Sequence, residues 1–335
     1  MRAGHAFACG AALGYLGDLI AGDPRRGHPV AAFGRAAAAA ERLLWRDHRG
    51  RGALYTTLCA GGATAGAALA ARAVRSSPAA TAALAAAATW SVLGGSSLGR
   101  EALAVASALE AGDLDVARER LPNLCGRDPQ ALDAQQIARA VVESVAENTS
   151  DAVVGALVWG AAGGVPGLIG FRAVNTLDAM AGHKSAHYRR FGWASARLDD
   201  VAGWPGARLT AVLAVLAGPD PRGALRVWRR DARQHPSPNA GPVEASFAGA
   251  LGVRLGGTLA YAGRVEHRPV LGAGNRPVEV PDIARAVRLS RRVGVLALAV
   301  SVTTRLGATA LLAARRPDGA AVSGRRRSAT EGGTE

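Results

Sequence analysis

Residues 152–171 read AVVGALVWGAAGGVPGLIGF, an uncharged run of about 20 positions and thus long enough to enter a bilayer. Its centre, GAAGGVPG (160–167), makes a poor straight helix. Adjacent glycines favour a break, and a proline lacks the amide donor and crowds the preceding turn. A full crossing would leave the polar segments on either side of the run on opposite faces of a membrane. The spacing therefore predicts a re-entrant or broken helix pair near 152–171, returning both flanks to one side. Irregular backbone at that depth is tolerated only where it lines a polar cavity.

Three polar strings lie around this run: VESVAENTSD (142–151), NTLDAMAGHK (175–184) and FGWASARLDD (191–200). The rest of the chain is mostly Ala, Gly, Leu, Val and Arg. Carboxylates, amides and hydroxyls are costly to bury beside lipid, so the cluster reads as a reaction site. Further apolar stretches fall at 3–21, 53–71, 79–98, 207–218 and 293–314, of which 207–218 is too short to span. Gly62 and Gly66 form a small-xxx-small pair suited to close helix contact. The predicted fold is all-α: a multi-pass helical membrane bundle with amphipathic cytoplasmic helices. Residues 1–317 form one domain and 318–335 a disordered basic tail. A buried Ala-rich soluble bundle is the competing fold.

The chain has 335 residues, a hydrophobic fraction of 49%, 4% aromatics and a formal charge of +14. Scarce aromatics argue against a β-sandwich and for small-residue helix packing. Arginines collect beside apolar segments without interleaved aromatics, which suits a lipid face and excludes nucleic acid as the favoured partner. Segment 22–52 carries seven Arg against three acids and should face the cytoplasm. Cys9, Cys59 and Cys125 are isolated, so neither a zinc cage nor a disulfide framework is indicated. No Walker A loop, GxSxG elbow or HExxH is present.

Segments 100–120 and 133–151 read as helices. Asp133 and Gln136 have capping-box spacing, and Ile137, Val141 and Val145 form an apolar ridge. Arg139, Glu143, Glu147 and Asp151 share the opposite row. That row is either a solvated face with Arg139 paired to Glu143, or an acidic ladder holding magnesium and nucleotide phosphate. Asn148 and Ser150 crowd its end, which favours the ladder. In the second string Asn175, Asp178 and Lys184 offer an amide, a carboxylate and the chain's one lysine, a compact charge suited to phosphate. An ordinary turn would use the same Asn, Asp and Gly. In the third string Arg197, Asp199 and Asp200 either pair together or serve a metal. Asp23-Pro24 and His28-Pro29 make rigid corners beside the first apolar stretch.

Read together, these strings resemble the CobD/CbiB family of cobalamin biosynthesis. The matching text is GDLIAGDPRRGHPV (17–30), ARERLPNLCGRDPQALDAQQIARAVVESVAENTSDAVV (117–154), AVNTLDAMAGHKSAHYRRFGWASARLDDVAGWPGARLTA (173–211) and HPSPNAGPVEASFAGALGVRLGG (235–257). The chain departs from the family pattern at Ala152, where Gly is usual, at His183, where Tyr is usual, and in the GPVE stretch (241–244). The resemblance implies a multi-pass inner-membrane enzyme with its site facing the cytoplasm. Such an enzyme joins adenosylcobyric acid to aminopropanol, or its phosphate, in an ATP- and Mg2+-dependent amide ligation. On that reading Glu143, Glu147 and Asp151 hold magnesium, and Asp178 or Asp199 is the base for the amine. Lys184 and Arg197 contact phosphate, and Asn148, Asn175 and Asn239 bond substrate amides. Asp23, His28 and Ser150 complete the substrate- and ATP-binding set. The alternatives are a membrane transporter, for which internal repeats are missing, and a non-catalytic corrin-pathway scaffold.

Overall fold

The computed structural model describes residues 3–22, 27–126, 129–130, 132–183, 185–261 and 264–314, with side chains left out at 258–267 and 312–313. The 318–335 tail, Asp23 and Lys184 lie outside the described residues. The element order is α1 (Ala3–Ala21), α2 (Pro29–Leu44), α3 (Arg49–Ala73), α4 (Pro78–Val92), α5 (Gly95–Glu110), α6 (Leu114–Arg120), α7 (Ala134–Thr149), α8 (Gly155–Ala181) and α9 (Trp193–Ala217). Then follow α10 (Pro221–Asp231), α11 (Ala240–Leu251), β1 (Leu255–Tyr261), β2 (Arg264–Leu271) and α12 (Pro281–Ala314). The all-α expectation needs one correction. Strands β1 and β2 pair antiparallel, in a segment whose Thr, Tyr and Val residues favour a pleated backbone.

α8 carries the predicted break. Gly164 has φ 66° and ψ −147°, a backbone that is strained for any residue with a Cβ. The chain reverses there. Gly155 lies against the Phe171 ring, Gly160 against Leu168, and Gly167 against the Trp159 carbonyl, so the arms 155–163 and 165–181 run antiparallel. Absent side chains at the three glycines let the arms approach this closely. At the tip, Pro166 has no amide to offer the Ala162 carbonyl one turn before it. Arg305 of α12 reaches the Ala161 and Ala162 carbonyls with Nη1, at 3.3 Å each, and its guanidinium lies 5.2 Å from the Phe7 ring centre. A cation at the carboxyl end of a helix also suits the helix dipole.

α7 follows its sequence signals. Asp133 Oδ1 accepts the Gln136 amide at 2.8 Å and Gln136 Oε1 accepts the Asp133 amide at 3.0 Å, closing the capping box. Ile137, Val141 and Val145 are fully buried. Thr149 donates to Ser290 of α12 at 2.7 Å and so fixes the helix end. The expected helix over 100–120 is divided, because Asp113 caps a new helix by accepting the Val116 amide at 3.0 Å.

α1 runs alongside α4 in the same direction, with Gly10 against the Ala82 carbonyl and Gly14 against that of Ala86. Gly62 and Gly66, expected at a helix contact, instead face open space. Three helical stretches, Arg49–Ala73, Ala134–Ala181 and Pro281–Leu311, are long and apolar enough to cross a membrane by length and composition. The second contains the reversal at Gly164, so its last turn comes back to the end at which the hairpin began. α4, at 15 residues, is shorter than a span requires.

Candidate active site at one end of the helices

Beyond α7 the backbone widens into a π-helical turn, Ser150–Val154. Such turns shift the helical phase by one residue and recur at functional sites. Here Ser150 and Asp151 both reach the wall of a cavity of about 940 Å³. Glu147, one turn earlier, lines it too. The returning arm of α8 adds Asp178, and the start of α9 adds Arg197, Asp199 and Asp200. The segment between α10 and α11 supplies His235, Ser237 and Asn239, and β2 supplies Arg268. Arg49, Arg189 and Trp193 complete the rim. The hairpin thus brings all three polar strings to one hollow, with carboxylates facing guanidinium groups.

The sequence-selected residues divide by what they touch. Glu147, Asp151, Asp178, Asp199, Ser150, Arg197 and Asn239 line the cavity. Arg197 is largely exposed and stands 3.6 Å from Asp200. Asn175 stands behind the wall: its Nδ2 donates to Asp199 Oδ1 at 3.4 Å while its Oδ1 accepts Arg172 Nη1 at 3.4 Å. These are long bonds that orient more than they bind. Asn239 does both jobs. Its Nδ2 donates to the Asp200 carbonyl at 2.9 Å, and its Oδ1 accepts Arg208 Nη1 at 2.9 Å.

Three selected residues have other partners. Glu143 is buried, accepts the Gly256 amide at 2.7 Å and lies 3.9 Å from Arg139, which itself donates to the Gly256 carbonyl at 2.6 Å. Both polar groups of Gly256 are therefore held by α7, and Glu143 anchors the β hairpin instead of lining the cavity. Asn148 donates to the Ser144 carbonyl at 3.0 Å and to the Ser144 hydroxyl at 3.2 Å. His28 caps α2, its Nδ1 accepting the Val30 amide at 3.1 Å ahead of Pro29 at the first helical position.

Burial pushes the Asp199 carboxyl up to about 7, helped by the neighbouring Asp178 and Asp200 and opposed by the Asn175 hydrogen bond. On α11, Glu244 is raised by burial and by the adjoining Glu147 and Glu143 carboxylates. Its Oε1 lies 3.6 Å from His235 Nε2, and burial lowers that imidazole. The Ser237 amide donates to His235 Nδ1 at 3.0 Å, and the same nitrogen lies 3.3 Å from the Ser237 carbonyl. Arg49, Arg189, His235, Glu244 and Arg268 are groups at or behind the cavity that sequence reasoning did not single out. Glu244 had a signal: it is the one charged residue in AGPVEASFAGAL, a segment buried from Gly241 to Leu251.

Among the described residues, no three His, Cys, Asp or Glu side chains form a ready metal cage. The surrounding carboxylates still suit a hard cation that keeps most of its water and is held by one or two carboxylates plus substrate phosphate. Of the three residues expected to hold it, Glu147 and Asp151 line the cavity and Glu143 does not.

The chain is similar to known proteins over most of its length. The family model described as CobD/Cbib protein matches residues 11–290. The "Cobalamin biosynthesis protein CobD" of Mycobacterium tuberculosis is 52% identical over 305 residues, covering 89% of this chain and 96% of that protein. Its namesake from Chromobacterium violaceum is 43% identical over 285 residues, 84% of this chain and 91% of that protein. The one from Rhodobacter capsulatus is also 43% identical, over 284 residues, 82% and 90% respectively. No solved structure matches. Matched along most of its length, with the polar strings of the cavity inside the matched region, the chain belongs to the CobD/CbiB family of cobalamin biosynthesis proteins.

Proposed function

We propose that this protein is an integral membrane ligase of cobalamin biosynthesis. It activates a carboxyl of adenosylcobyric acid with ATP and joins it to aminopropanol or aminopropanol phosphate. The observation that carries this reading is the convergence of Asp151, Asp178 and Asp199 with Arg49, Arg189, Arg197 and Arg268 around one cavity. Carboxylates and guanidinium groups are what phosphoryl transfer to a carboxylate requires.

The chemistry divides into two steps. A substrate carboxylate oxygen attacks the γ-phosphorus of ATP, forming an acyl phosphate and releasing ADP. The amine then attacks the acyl carbon; the C–O bond to phosphate breaks, phosphate leaves, and the nitrogen loses a proton. Asp199 is the candidate base, held near neutrality by burial and oriented by Asn175. Asp178 is the alternative on the facing wall. The arginines orient the phosphates and neutralise the leaving group. Glu147 and Asp151 would hold magnesium, which would supply charge neutralisation at the phosphates.

The membrane placement rests on the three long apolar stretches and on outward-facing Leu58, Leu69, Val295 and Leu311. The 22–52 segment, with seven Arg against three acids, leads into α3 at the cavity rim, which by the positive-inside bias supports a cavity on the cytoplasmic face. The decisive experiment incubates purified protein with adenosylcobyric acid, ATP-magnesium and each amine, followed by mass analysis of the corrin. A corrin heavier by the condensed amine, with matching ADP, supports the reading. Unchanged corrin with every amine refutes it.

A further inference from the structure

α9 has 25 residues, about 37 Å of helix, which is long enough to cross a bilayer. Yet both its ends are tied to the same end of the molecule. At its start, Trp193 Nε1 donates to the Arg49 carbonyl at 3.0 Å, and Arg49 opens α3 at the cavity rim. At its finish, the Ala217 carbonyl accepts Arg292 Nη1 at 3.3 Å, in the polar beginning of α12. Between these ties α9 passes the re-entrant hairpin, with Gly206 against Gly155 at its entry and the Ala202 carbonyl accepting Trp159 Nε1 at 2.8 Å. A helix held so at both ends lies across the bundle.

One face of α9 is apolar and uncovered. Val201 is 70% exposed, Trp204 54%, Val212 41% and Leu216 69%. The Arg208 guanidinium lies 4.7 Å from the Trp204 ring centre. Tryptophan with a stacked arginine suits the headgroup boundary, where an apolar body and a charged tip are both satisfied. The same level is marked on α12, where exposed Arg291 and Arg292 give way to exposed Val295 and Leu296.

We propose that α9 is an interfacial helix, lying flat at the headgroup level of the bilayer with Val201, Trp204, Val212 and Leu216 seated on lipid. The occupant is lipid because α9 is tied to α3 at Arg49 and to α12 at Arg292, and both of those helices are long and apolar enough to cross a membrane and carry outward apolar residues. The placement also ties lipid to chemistry. Arg208, stacked on Trp204, bonds Asn239, and Asn239 bonds the main chain of Asp200 in the cavity wall.

This inference rests on the membrane placement proposed above, and the test separates the two. Single nitroxides are attached at Val201→Cys, Leu216→Cys and, as reference, Leu58→Cys on α3, with Cys9, Cys59 and Cys125 replaced by Ser. Depth is read from oxygen and nickel-chelate accessibility in phosphatidylcholine–phosphatidylglycerol vesicles. The expected result is a Leu58 label inside the hydrocarbon, with labels at 201 and 216 at the acyl–headgroup boundary within about 5 Å of one another. A depth difference approaching the roughly 22 Å that separates them along the helix overturns the interfacial placement. So do two water-exposed labels beside a lipid-buried Leu58 site. A water-exposed Leu58 label overturns the membrane placement itself, and this inference with it.

Discussion

Gly155, at the start of α8, lies directly against the ring of Phe171 on the returning arm of the same helix. That contact brings Asp178 back to the end where Asp151 stands, and so makes one cavity from separate stretches of sequence. A side chain at Gly155 has nowhere to go while the ring is in place. Gly155→Val should destabilise the protein by about 1–3 kcal/mol, the usual cost of overpacking, and lower activity with it. Phe171→Ala in the same chain should restore much of the loss. Thermal unfolding in detergent checks this, and a Gly155→Val protein as stable as wild type would contradict the antiparallel arms.

Asp199 sets the expected pH dependence. As the base it must be ionised, so ligation should rise with pH through about 7. Asp199→Asn should lower the rate by about 10²- to 10⁴-fold and flatten that rise. Stability runs the other way. The carboxyl is raised above its unfolded value, so the neutral form favours folding at low pH, and that advantage is lost as pH rises through about 7. Asp199→Asn should therefore melt higher than wild type at pH 8 and equally near pH 4. A rate profile that is level from pH 6 to 8 in wild type would remove Asp199 from the role.

Glu143 and Glu147, one helical turn apart on α7, should give opposite phenotypes. Glu143→Gln weakens a charged hydrogen bond to the Gly256 amide, typically worth about 1.5–3 kcal/mol. Faster hydrogen exchange over 255–271 is expected, with loss of activity only as the hairpin loosens. Glu147→Gln should abolish ligation and leave that exchange unchanged. Equal exchange in both variants would mean Glu143 does not anchor the hairpin.

Arg305 holds the hairpin tip through the Ala161 and Ala162 carbonyls. Arg305→Met keeps the length and removes the donors, leaving the Ala162 carbonyl unsatisfied at a cost of about 1–3 kcal/mol before relaxation. Arg305→Lys should recover part of the loss, since an ammonium can serve one carbonyl. Unfolding temperatures of the two variants check this; an Arg305→Met protein with wild-type stability would show that the tip needs no cap.

Local signals survived folding and tertiary ones did not. The break at Gly164 was legible because two glycines and a proline act on their own backbone, and the Asp133 capping box because it closes within one turn. Glu143 and Asn148 sit on the expected helix beside the expected neighbours, yet the structure gives both other partners. What claims them, Gly256 and Ser144, depends on which way each side chain turns and what folds over it. The β hairpin was missed in a chain dominated by helical periodicity. Asp200 was visible beside Asp199, but only Asn239 bonding its carbonyl shows why that turn of α9 is held at the wall.

Sidedness is the most direct test. Single cysteines at Asp113, before the hairpin, at His183, after it, and at Ser76, in the turn between α3 and α4, can be treated with an impermeant thiol reagent in oriented vesicles. The account predicts that positions 113 and 183 label from one side and position 76 from the other. Labelling of 113 and 183 from opposite sides would mean that 152–171 crosses once, and would separate Asp151 from Asp178.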